Sequence, residues 1–152
     1  MASKKKIRGF SLLEVLIALL IFSFGLMGLA ALQSFSVKNN QSSSFRSQAT
    51  ALSYMIIDNM RANRNAVLTG HYFTDYQTTA CAAADPTGAT AAATDLARWR
   101  NNIACALPGG KGQIHFPAGG NNAVTVSITW EDARWAINPA DRDTEFTLDT
   151  TL

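Results

Sequence analysis

From Phe10 to Leu32 the chain reads FSLLEVLIALLIFSFGLMGLAAL, an apolar stretch broken by one charge, Glu14, and by no proline. As a helix this stretch would measure roughly 35 Å, enough to cross a bilayer core of about 30 Å. Polar residues take over after Gln33, yet neither Gly nor Pro occurs between Gln33 and Arg64, so the pattern predicts that the helix continues. In this second half Phe45, Ala49, Leu52, Ile56 and Met60 recur at steps of four, three, four and four, an apolar stripe suited to docking on a sheet. The two halves together predict one helix of about 55 residues, roughly 80 Å long. Gly25 and Gly28 mark the place where it bends most easily, or where another helix packs closely. Ser42, Ser43 and Ser44 read as solvated helix surface.

Beyond the helix, the stretch from Gly70 to Gly88 is polar and Ala/Thr-rich and reads as a connecting loop, with one short strand expected at His71 to Tyr76. Asp95 is expected to cap a helix from Leu96 to Leu107, with Leu96, Trp99, Ile103 and Leu107 on one face and Pro108-Gly109-Gly110 closing it. Strands are expected at Gln113 to Phe116, Ala123 to Glu131 and Thr144 to Leu152. In the second of these Val124, Val126, Ile128 and Trp130 alternate with Thr125, Ser127, Thr129 and Glu131, which means one buried and one wet face and hence an antiparallel sheet. Pro117 to Asn122 would turn the first two strands into a hairpin. The predicted fold class is α+β, a long N-terminal helix packed on a small antiparallel β-sheet.

At 152 residues the chain allows one domain plus an appendage and excludes two large domains. Eight Phe, three Trp and three Tyr, with 16% charged residues, argue against intrinsic disorder. The net charge of +2 is unevenly placed: Lys4, Lys5, Lys6 and Arg8 supply four of the thirteen positive charges, and the remainder of the chain is net negative. No Lys/Arg cluster interleaved with aromatics remains to bind nucleic acid. A basic stretch before the apolar segment, with none comparable after it, puts the N-terminus in the cytoplasm and the residues after about 35 on the far side of a membrane.

Three readings compete for the N-terminus. A cleaved secretory signal would use Gly28-Leu29-Ala30-Ala31 as its cleavage region, but the apolar run is too long and the glutamate at its start is out of place. A plain signal anchor accounts for the length and leaves Glu14 and the Gly9-Phe10 junction without a role. The third reading uses all of these features: Lys4-Lys5-Lys6-Ile7-Arg8-Gly9 followed by Phe10-Ser11-Leu12-Leu13-Glu14 resembles the class III leader of type IV prepilins and pseudopilins. The resemblance implies a prepilin peptidase that cuts between Gly9 and Phe10 and methylates Phe10, so that Glu14 becomes the fifth mature residue. It also implies a pilin-like fold divided into a leader at 1–9, a transmembrane and filament-core helix at 10–35, and a periplasmic head at 36–152. Glu14 lies close enough to the start of the helix to reach the membrane interface. In a core of bundled apolar helices it would need a cationic partner, for which the free amine of a neighbouring subunit's Phe10 is suited.

Further stretches resemble the PilV-type minor pilins: Phe24 to Gln33, Asp95 through Trp99 to Gly110, and Val126 to Asp132 with its Thr129-Trp130-Glu131-Asp132. This resemblance implies a non-enzymatic minor pilin without cofactor, held in the inner membrane as a single-pass protein and then incorporated into a type IV pilus. There it would join a minor-pilin complex that primes assembly or sits at the tip. The implied partners are the prepilin peptidase, other minor pilins, the major pilin, the inner-membrane pilus assembly platform and the lipid bilayer. Two alternatives stand beside it: a type II secretion system pseudopilin, and a bitopic membrane-anchored periplasmic binding module or enzyme.

Little else in the sequence points to chemistry. Cys81 and Cys105 in an exported head are expected to form a disulfide worth about 3.5 kcal/mol, since neither a close redox spacing nor further zinc ligands accompany them. His71 and His115 belong to no nucleophile motif, and His115 shares the solvent side of its strand with Gln113. Asp141, Asp143 and Glu145 are weak calcium candidates, because some pilin-like heads bind that ion; their residue types and spacing fit turn and strand-exit positions facing water better. Trp99 and Trp130 are expected in the core rather than on a carbohydrate platform, whereas Trp135 beside Arg134 suits a subunit interface.

Overall fold

A computed structural model describes residues 11–117, 123–133, 136–138 and 142–152 of the chain. Its elements are α1 (Leu12–Ala62), α2 (Arg64–Leu68), α3 (Ala91–Ala106), β1 (Lys111–His115), β2 (Ala123–Glu131) and β3 (Asp143–Thr151). The class is α+β, with a long N-terminal helix followed by a small antiparallel sheet, consistent with a pilin fold. The chain divides between Gln41 and Ser42 into two compact units, and α1 contributes to both.

The helix runs unbroken through Gly25 and Gly28, as the absence of proline allows. Its start is fixed by Ser11, whose Oγ accepts from the backbone N–H of Leu13 (3.3 Å) and whose carbonyl accepts from that of Glu14 (3.0 Å). A C-terminal stripe of Ala49, Ser53, Ile56, Ile57 and Met60 is buried, with Phe45 and Leu52 half-buried beside it. The predicted stripe is thus the docking face, widened by Ser53. That hydroxyl is tolerated in the core because it donates to the Ala49 carbonyl at 2.9 Å within its own helix.

β1, β2 and β3 pair antiparallel in sequence order, with Ile114 opposite Val126 and Ile128 opposite Phe146. Ile114, Val124, Val126, Ile128 and Trp130 fill the core face. α3 lies close against β1: the ring of Trp99 is packed so near Gly112 that a Cβ there would stand 2.4 Å from Cη2. Trp99 also donates from Nε1 to the Leu52 carbonyl of α1 at 3.0 Å, so one side chain joins both helices and the sheet. Trp99 and Trp130 are core residues, as expected.

Three local expectations are corrected. α3 begins one turn earlier than Leu96, capped by Thr90, whose side chain accepts from the Ala93 N–H; Asp95 lies inside the helix. Four consecutive Ala/Thr positions with high or neutral helix propensity carry the helix back to that threonine. In place of a strand at 71–76, a turn leads to a single bridge in which Thr74 and Ile114 exchange backbone bonds of 3.1 and 2.9 Å. The wet face of the sheet is also partly covered, since Ser127 is buried there. The expected hairpin turn at 118–122, together with Arg134 and Trp135, lies outside the described residues.

Candidate functional site

The N-terminal half of α1 carries the most unusual surface of the molecule. Leu12 is 81% exposed, Phe24 69% and Met27 72%, and between Leu12 and Val37 none of the large apolar side chains is buried. An 18-residue window in this helix has a mean hydropathy of 2.6, long and apolar enough to cross a membrane by length and composition. Soluble proteins rarely leave a contiguous apolar patch of more than a few hundred Å² in water, so this surface is built for lipid or for other apolar helices. A Cβ added at Gly25 or Gly28 would meet nothing within 4 Å, so no packing inside the chain requires these glycines.

Glu14 sits in the first turn of this helix, where the unsatisfied N–H groups and the helix dipole favour a negative charge. Its carboxylate is exposed beside Val15, Ala18, Leu19 and Phe22. One charge at the edge of a dry surface can reach the aqueous interface in lipid, and once enclosed by apolar helices it demands a cation. Gly9 and Phe10, the expected cleavage pair, lie outside the described residues.

The unit Ser42–Leu152 carries the other described residues that the sequence singled out. Cys81 and Cys105 are joined by a disulfide with a Cα separation of 4.7 Å, fastening the irregular segment before α3 to the helix itself. Asn101, one turn earlier and buried, holds the same segment: its Oδ1 accepts from the Ala82 N–H (2.7 Å) and its Nδ2 donates to the Ala82 carbonyl (3.1 Å). Asn101 was not legible as structural, because nothing local distinguishes it from its solvated neighbour Asn102. Asp143 and Glu145 alternate on the exposed side of β3, and Glu145 accepts from the Tyr76 hydroxyl at 2.8 Å. Asp141 lies outside the described residues, among which no group of three or more His, Cys, Asp or Glu gathers as a metal site. His115 is exposed and meets Phe73 edge-on, with ring centroids 6.2 Å apart.

Two tyrosines that the sequence did not flag are tuned by their surroundings. Burial, and then donation to Asp95, push the Tyr72 phenol up to about 12; Tyr76 is likewise pushed up to about 12 by burial and by Glu145. Burial lowers the Arg100 guanidinium, which donates to the Thr74 hydroxyl. These groups brace the 72–76 segment against α3 and the sheet, and none is arranged with a nucleophile.

Comparison with protein families matches residues 4–30 to the prokaryotic N-terminal methylation motif. Comparisons with curated proteins and with solved structures each return no match. The matched motif, a class III prepilin leader continued by the apolar start of α1, fits membrane anchoring and supports a type IV pilin-like protein processed by a prepilin peptidase.

Proposed function

We propose that the protein is a minor pilin of a type IV pilus, of the PilV type. A prepilin peptidase cuts between Gly9 and Phe10 and methylates Phe10; the protein waits in the inner membrane with its head in the periplasm, then enters the filament. Glu14 pairs with the Phe10 amine of a neighbouring subunit, which offsets the cost of moving its charge from the interface into the filament core. Other minor pilins and the major pilin are its neighbours there, reached through the inner-membrane assembly platform, and it primes assembly or occupies the tip. The role is structural rather than enzymatic.

The observation that carries this reading is the conjunction of the motif at residues 4–30 with a helix whose exposed N-terminal half is apolar apart from a carboxylate in its first turn. The PilV assignment rests on the sequence stretches from Phe24 to Gln33, from Asp95 through Trp99 to Gly110, and from Val126 to Asp132. N-terminal sequencing of membrane-extracted protein tests the processing: the expected start is methylated Phe10, and an intact Met1 or a start after Ala30 overturns it. Deleting the gene tests the machine. Loss of twitching motility with intact protein secretion is expected, and the reverse outcome assigns the chain to a type II secretion system as a pseudopilin.

A further inference from the structure

β3 is an open edge. All nine of its residues pair with β2, and among the described residues none forms a further backbone hydrogen bond outside that ladder. Every second residue of such a strand turns its N–H and C=O away from the sheet, so β3 presents an unused row of donors and acceptors. The opposite edge is closed: Thr74 bridges Ile114, and Gln113 Nε2 donates to Asp75 at 3.3 Å.

The two faces of β3 specify what would fit beside it. On the core side Phe146 and Leu148 are only half-buried, while Ile128 and Val126, their partners on β2, are fully buried. The core therefore runs out beneath β3, and apolar side chains from one more strand would extend it. On the other side Asp143, Glu145 and Asp149 stand in one exposed row, and none forms an ion pair among the described residues. A second copy of this chain pairing through the same edge would bring two acidic rows together, which disfavours self-association there. A strand whose residues on that face are basic meets the row favourably.

We propose that the outer edge of β3 accepts, as an added strand, an extended segment of another protein in which apolar residues alternate with Lys or Arg. Backbone bonds supply the attachment, the apolar residues complete the core beside Phe146 and Leu148, and the basic residues face the acids. This docking edge does not depend on how the N-terminus is processed. The competing account is that the acids only protect an exposed strand from aggregation, in which case no peptide binds.

The test uses the full chain in detergent with three synthetic peptides: Lys-Val-Lys-Val-Lys-Val-Lys, the same peptide with Glu for each Lys, and the lysine peptide with every backbone amide N-methylated. Amide hydrogen exchange over residues 143–151 and titration of binding are the readouts. The lysine peptide is expected to slow exchange in β3 at least ten-fold and to bind at least ten-fold more tightly than either other peptide. The double substitution Asp143→Lys with Asp149→Lys is expected to remove that preference. Equal binding of the lysine and glutamate peptides, binding indifferent to N-methylation, or no slowing of exchange in β3 overturns the proposal.

Discussion

Replacing Gly112 with alanine isolates the packing that joins α3 to the sheet. The added Cβ would stand 2.4 Å from Trp99 Cη2 and 2.7 Å from Ile103 Cδ1, and both side chains are fully buried and have no open space to retreat into. Overpacking of this kind costs about 1–3 kcal/mol, against which a more restricted unfolded chain returns about 0.4–1 kcal/mol. A net loss of about 1.3 kcal/mol is expected. The unit Ser42–Leu152 unfolds with an entropy of roughly 0.23 kcal/mol/K by the usual per-residue scaling, so the melting temperature should fall by about 6 °C. Circular dichroism melting of a fragment spanning residues 36–152 measures this. Trp99→Phe trims the ring atoms that collide, so in the Gly112→Ala background it should cost less than it does alone. The reasoning fails if Gly112→Ala melts within 2 °C of the parent, or if the two substitutions are additive. Gly25→Ala in the full chain, with nothing within 4 Å of the new methyl, should leave the head's melting unchanged.

Glu14→Ala should be cut normally yet enter filaments poorly, as followed by immunoblots of sheared pili against membranes; normal incorporation would make the charge pairing dispensable. Gly9→Ala should leave uncut protein in the membrane, seen as a heavier band. For Tyr72→Phe the sign follows from a phenol pushed up to about 12: its proton is held more tightly in the folded head, so its contribution is complete below pH 10 and is lost as pH rises through 12. Urea denaturation should therefore show the wild-type advantage over Tyr72→Phe shrinking by about 3 kcal/mol across that interval. Reduction, or paired Cys81→Ser and Cys105→Ser substitution, should cost about 3.5 kcal/mol, read from the urea midpoint.

Most of the fold was legible because it is periodic. The steps of three and four from Phe45 to Met60 and the alternation from Val124 to Trp130 each encode one buried face, and both faces meet in the core. What escaped the sequence depends on distant partners. Asp95 looked like a cap because it precedes an apolar run, yet Thr90 provides the cap and Asp95 receives the Tyr72 hydroxyl from another segment. Ser127 alternates correctly and is buried nonetheless, since the chain around Tyr76 crosses to Glu145 on the same face. Asn101 clamps Ala82 across 19 residues, a pairing that no local pattern announces. The N-terminal motif was the most legible part, because processing signals are read as linear sequence and need no fold to be recognised.

The unbroken helix also has a mechanical meaning. Between Ser42 and Ala62 α1 contains neither glycine nor proline, so no weak link interrupts its ladder of backbone bonds along the buried stripe. A pull applied along its axis is carried to Ala49, Ser53, Ile56, Ile57 and Met60, which lie along the helix and share the load in shear instead of peeling one at a time. Resistance to such a pull is governed by an unfolding rate, not by equilibrium stability. A helix docked along such a stripe is suited to bearing tension.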